Sequence, residues 1–146
     1  MKKDPITEEV RNRVEEKIFQ LTKMIRELRA GNNEQKSSMG DKYETSREML
    51  AQEVGNLQRQ VKQWEIQKRS IEKLSSDDSL VVELGAVVET DLGIFYLATS
   101  VGELNFKGQS VVSISLDAPI AIAMLGKRKG DKFEMRGKSL SIKNIW

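Results

Sequence analysis

Two acids, Asp41 and Glu44, stand three residues apart in the run Gly40-Asp41-Lys42-Tyr43-Glu44, at the bend between two long stretches of helical periodicity. On a helix this spacing puts both carboxylates on one face, where they can approach a single cation. At a helix start it is also close to a capping box, with Asp41 accepting from backbone N–H groups and Glu44 reaching back. The chain has neither cysteine nor histidine, which excludes disulfides, thiolate or imidazole metal sites, and Ser-His or Cys-His nucleophiles. Most hydrolase chemistry is thereby removed.

The elements that must position these acids are two apolar seams. Val10, Val14, Ile18, Leu21, Ile25 and Leu28 recur at heptad steps, and Leu50, Val54, Leu57, Val61 and Trp64 repeat them, resuming at Ile71 after a polar slip at Lys68. A lone helix cannot bury so narrow a stripe, so the spacing predicts an antiparallel coiled-coil hairpin pairing Leu28 with Leu50, Ile25 with Val54 and Leu21 with Leu57. The fold-back then falls near Met39 and Gly40, with an acidic tip over 34–48. Pro5, a Thr7 hydroxyl cap, Glu8 and Glu9 suit a helix start, and Gly31-Asn32-Asn33 suits a stop near Ala30. A helix from Thr7 to Ala30 is roughly 36 Å long at about 1.5 Å per residue. The second helix is expected from near Asp41 to about Leu74, with Gly55 a weak point inside it.

Composition changes along the 146 residues. Residues 1–76 are rich in Glu, Lys, Arg and Gln, whereas from Leu80 onward Val, Ile, Leu, Ser and Gly come in short runs. We therefore expect a coiled-coil arm over 1–76 and a small globular domain over 77–146, joined at Ser75-Ser76-Asp77-Asp78-Ser79. Runs at 80–82, 86–90 and 94–98 read as strands, the last two as a hairpin turned at Asp91-Leu92-Gly93. Val111–Ser115 is a further strand, and Pro119–Leu125 a short helix stopped at Gly126, with Asp117 as its cap and Pro119 in its first turn. Asp131–Met135 and Leu140–Ile145 close the domain as a hairpin turned near Gly137. The fold class is α+β, with short antiparallel strands and one short helix.

Formal net charge is +2, too small for a general nucleic-acid binder, but it is unevenly spread. Residues 77–126 hold one Lys against seven acids, and 127–143 hold seven Lys and Arg against two acids. Such a dipole suits an oriented protein surface better than a phosphate track. No apolar run approaches membrane-spanning length and the charged N-terminus leads into no signal core. The chain is read as a cytoplasmic monomer.

Taken together, the two halves resemble the bacterial Gre transcript-cleavage factors (GreA and GreB). In the second half Gly85-Ala86-Val87-Val88, Phe95-Tyr96-Leu97, Ile114-Ser115, Ala118-Pro119-Ile120-Ala121, Met124-Leu125-Gly126-Lys127 and Gly130-Asp131 follow that family's order and spacing. At the tip, where the family has Gly-Asp-Leu-x-Glu-Asn, this chain keeps Gly40, Asp41 and Glu44 but carries Lys42 and Thr45.

The resemblance implies an N-terminal antiparallel coiled coil joined to an FKBP-like domain. The domain would dock on the rim of the RNA polymerase secondary channel through Asp117, Ala118, Pro119 and Ile120. The coiled coil would enter the channel, where Asp41 and Glu44 act as catalytic residues. They would help hold a Mg²⁺ ion shared with the polymerase at the nascent RNA 3′ end, and the polymerase would then cleave a backtracked transcript. Two carboxylates cannot fill the octahedral shell that Mg²⁺ requires, so the isolated chain is expected to bind no metal tightly and to be no enzyme alone. Arg29, Lys36, Lys42 and Arg47, with Arg26, are candidate contacts to RNA or channel, or simply solvated charge. Lys127-Arg128-Lys129 reads as a basic helix end. Two other readings of the whole remain: a channel regulator without cleavage, and a coiled-coil scaffold for another protein.

Overall fold

In a computed structural model, the backbone is described for residues 1–35 and 40–146 and the side chains for residues 1–31 and 46–146. Two long helices come first, α1 (Asp4–Gln35) and α2 (Gly40–Glu72). Strands β1 (Val87–Thr90), β2 (Gly93–Leu97), β3 (Gly102–Phe106) and β4 (Gln109–Ile114) follow, then a short helix α3 (Pro119–Met124), then β5 (Lys132–Met135) and β6 (Lys138–Ile145). The chain forms two compact units, Val14–Arg69 and the combination of Met1–Arg13 with Ser70–Trp146. The change in composition near residue 76 and this division of the fold are therefore different boundaries.

Within the Val14–Arg69 unit the predicted seam is the packing interface. Ile25, Val54 and Leu57 are buried against Leu21, Leu28, Leu50 and Val61, which are half-buried, as expected where only two helices cover one another. Lys68 Nζ meets Glu15 Oε1 at 3.5 Å, which ties the start of one segment to the end of the other and agrees with an antiparallel arrangement. Both charges are well exposed, so this pair contributes little to stability. The helix α1 is longer than expected at both ends. Gly31, Asn32 and Asn33 do not stop it, because one glycine costs only about 1 kcal/mol against a helix already propagated over many turns.

In the other unit α1 starts at Asp4, so Thr7 is not its cap. The Thr7 hydroxyl lies 3.1 Å from the Lys3 carbonyl and 2.7 Å from the Tyr96 hydroxyl. Ile6 and Val10 are buried on the same stretch of helix, and Ile71 near the end of α2 is buried too. Lys3 is only 3% exposed, and its ammonium donates to the Asp77 carbonyl at 2.6 Å and to Ser79 Oγ at 3.1 Å. Burial lowers its pKa from the usual lysine value, offset in part by Asp78, Glu83 and Asp77.

The sheet order is β3-β4-β2-β1-β6-β5. The expected hairpins are present, with Thr90 opposite Gly93 in one and Met135 opposite Lys138 in the other. The sheet is mixed rather than antiparallel, since β2 and β4 run parallel, Ile94 beside Val111 and Leu97 beside Ile114. The strand β3 explains the difference. It takes the edge and pairs antiparallel with β4, which turns back to lie against β2. Residues 80–82 form no strand, and Val81 makes only an isolated bridge to Arg128. The core joins Val88, Leu97 and Ile114 of the sheet to Ala121 and Met124 of α3 and to Phe133, Leu140 and Ile142 of the last hairpin. Each large apolar side chain buried there stabilises the fold by about 1.5–3 kcal/mol.

Tyr96 is wholly buried, and its pKa is raised above the ordinary tyrosine value, chiefly by loss of solvation, against the lowering effects of the Thr7 hydrogen bond and of Arg11. A raised folded-state pKa means that the unfolded chain loses the phenolic proton first. The contribution is thus full below the ordinary tyrosine pKa and is lost as pH rises through the folded value. Tyr96→Phe should cost about 1 kcal/mol at neutral pH and flatten the alkaline decline in stability, as followed by urea denaturation at a series of pH values. An unchanged alkaline limb would show that Tyr96 does not govern it.

Candidate functional site

The sequence candidates fall on two parts of the fold. Asp41 and Glu44 are the second and fifth residues of α2, so their backbone has the one-face spacing expected, and acids in a first helical turn complement the helix dipole. Their side chains, and those of Lys36 and Lys42, lie outside the described residues. Arg29 is exposed near the end of α1, as is Arg26, and Arg47 is exposed early in α2. Among the described residues no group of three or more acids is clustered to hold a metal ion, and no helix is long and apolar enough to cross a membrane.

The second part is the entrance to α3. Pro119 stands in the first turn, as its fixed φ and missing N–H favour. Asp117 is not the cap. Ala118 takes that place in an extended conformation without a side-chain hydrogen bond, and the Asp117 carboxylate instead accepts from Ser115 Oγ. Asp117 and Pro119 are exposed, while Ala118 and Ile120 are half-buried and pack on the core. Ile120 is therefore largely committed to the fold.

The residue with the free apolar surface is Ile122, 63% exposed, followed one turn later by Leu125 at 50%. Val82 N donates to the Lys127 carbonyl and Gly126 N to the Val82 carbonyl, each at 2.8 Å, so the segment before β1 lies alongside the end of α3. That segment brings Leu84, 39% exposed, to the same region. Lys127, Arg128 and Lys129 follow directly, and the turn after them is held by Asp131 Oδ2, which accepts from Arg128 N at 2.8 Å. The surface is thus an apolar patch with an acid, Asp117, before it in the chain and a basic run after it. Sequence reasoning passed over Ile122 because Pro119–Leu125 is apolar throughout, and no stripe separates the inward from the outward face.

Apart from these candidates, the root of α1 has Lys3 bonded to the Asp77 carbonyl and Ser79, and Thr7 bonded to Tyr96 of the sheet.

The described residues thus comprise a pair of long helices packed along a seam and a six-stranded mixed sheet with one short helix between its fourth and fifth strands. Similar solved structures include one of the transcription factor Gfh1, 17% identical over 92% of each chain with a TM-score of 0.38. Another is the GreA factor homolog 1 (Gfh1) protein of Thermus thermophilus, 18% identical over 93% of this chain and 94% of that one with a TM-score of 0.35. Gfh1 of Thermus aquaticus is 18% identical over 92% of each chain with a TM-score of 0.34. Likeness at this level carries no inference about this chain. No protein-family model and no curated protein sequence matches the chain.

Proposed function

We propose that this chain is a transcription factor that binds RNA polymerase at its secondary channel and stimulates the polymerase's own cleavage of backtracked transcripts. The reading is carried by Gly40, Asp41 and Glu44 at the start of α2, the helix whose seam matches that of α1. The motif order through β1, β2, β4 and α3 supports it, and so does a sheet domain with an exposed apolar patch beside basic residues.

In this reading Asp41 and Glu44 supply two oxygen donors, and Mg²⁺ bound there jointly with polymerase acids and RNA phosphate would serve to generate hydroxide for phosphodiester hydrolysis. The donor set suits that ion chemically but is too small to hold it alone. Calorimetric titration of the isolated chain with Mg²⁺ should accordingly give no affinity in the micromolar range, and a tight isotherm would overturn the shared-site account.

Lys42 and Thr45, at positions where the Gre pattern has Leu and Asn, favour one alternative. A lysine next to the acids would draw a carboxylate away from a metal ion, giving a factor that occupies the channel without promoting hydrolysis. Stalled, backtracked elongation complexes separate the readings. Shortened transcripts in the presence of the chain support the cleavage factor. Association without shortening supports the regulator, and no association leaves the protein scaffold.

A further inference from the structure

Beside the root of α1 the unit formed by Met1–Arg13 and Ser70–Trp146 has a cleft of about 570 Å³, a volume typical of sites for small organic molecules. Of its lining residues Ile6 and Ile94 are buried, and Phe106 and Trp146 are half-buried. Two exposed lysines, Lys2 and Lys107, share that lining, and neither has an ion-pair partner among the described residues. Glu89 is the one acidic side chain there. An inorganic anion would gain nothing from the aromatic and aliphatic walls, and a pure hydrocarbon would leave both cations unused. Two lysine side chains against one acidic side chain also favour an anion over an amine.

We infer that this cleft binds a small amphipathic acid, its apolar body against Ile6, Ile94, Phe106 and Trp146 and its carboxylate at Lys2 and Lys107. The site shares no residue with the patch on α3 or with the acids of α2, and it stands independently of the function proposed above.

The hairpin that presents Lys107 makes the idea testable. Lys107 and Gly108 form the two-residue turn between β3 and β4, with φ of 50° and 82°, and Asn105 Oδ1 accepts from Gly108 N at 3.2 Å. Asparagine enters the left-handed region more readily than lysine and is the usual partner of glycine in such turns. Lys107→Asn therefore keeps or improves the turn while deleting the cation. Arg136-Gly137 between β5 and β6 repeats the conformation, with φ of 51° and 78°, but does not line the cleft. Arg136→Asn is thus a matched control.

The chain has two tryptophans, so Trp64→Phe leaves Trp146, in the cleft, as the sole tryptophan, excited selectively over tyrosine at the red edge of its absorption. Decanoate, kept below its micelle concentration, should give a saturable change in that emission. Lys107→Asn should weaken binding about tenfold or more, the effect of losing a charge-assisted contact. Arg136→Asn should leave it unchanged, and uncharged decanol should bind more weakly. Both asparagine variants should melt at or above the parent temperature. Absence of saturable binding, equal effects of the two variants, or decanol binding as well as decanoate would overturn the proposal. Calorimetry on the unsubstituted chain keeps the test decisive if Trp64→Phe does not fold.

Discussion

Replacing Asp41 and Glu44 together with alanine is expected to leave backtracked transcripts at full length while association with the polymerase persists. If the two carboxylates help hold the ion that generates hydroxide, their loss removes stabilisation felt at the transition state and hardly at all on docking. The rate of shortening should fall by about a hundredfold or more, with the concentration of factor needed for half-maximal binding little changed. Asp41→Asn distinguishes chemistry from helix initiation. Asparagine keeps the polar side chain at the helix start and gives up only the dipole contribution of the charge, about 0.3–1 kcal/mol, yet it carries no charge for an ion. Cleavage retained in Asp41→Asn would show that the residue matters for the helix alone.

The second large effect is expected at α3. Ile122→Asp places a charge in the exposed apolar patch, where a central anchor is typically worth about 2 kcal/mol or more, so polymerase binding should weaken about thirtyfold or more. The thermal transition should stay near that of the parent, because Ile122 is 63% exposed and supports little of the core. Ile120→Ala should behave in the opposite way, lowering the melting temperature while affecting binding less, since Ile120 packs on the core. Asp117→Arg with Pro119→Ala tests the flanking part of the same surface, and circular dichroism should remain native. Binding that survives Ile122→Asp and the Asp117/Pro119 variant alike would move the docking surface elsewhere.

Much of the fold was legible because its signals are local. Ile25, Val54 and Leu57 recur at helical spacing and are buried together. The hairpins at Asp91-Leu92 and Arg136-Gly137 interrupt runs of alternating or β-branched residues. The strand β3 was not read, since Gly102-Glu103-Leu104-Asn105-Phe106 carries few β-formers, and Lys107-Gly108 is not the Asn-Gly or Asp-Gly pair that marks a hairpin. Missing that strand hid the parallel pairing of β2 with β4, which exists only because β3 occupies the edge. Thr7 was misread for a related reason. A hydroxyl near a helix start satisfies a capping pattern, but its partner Tyr96 lies 89 positions away in the chain.

Residue types and their periods were enough to define two long helices with matching seams, a β-rich second half, an acid pair in the opening turn of α2, and a chain without imidazole or thiol chemistry. Each of these depends on side chains that are neighbours in the chain or one helical turn apart. Contacts across the fold settled the rest: the mixed order of the sheet, the burial of Lys3 and Tyr96 at the root of α1, and the choice of Ile122 over Ile120 as the outward apolar residue of α3. Their common cause is packing between segments distant in sequence, where burial of one side of a short apolar helix is decided by what lies beneath it and not by its own pattern of residues.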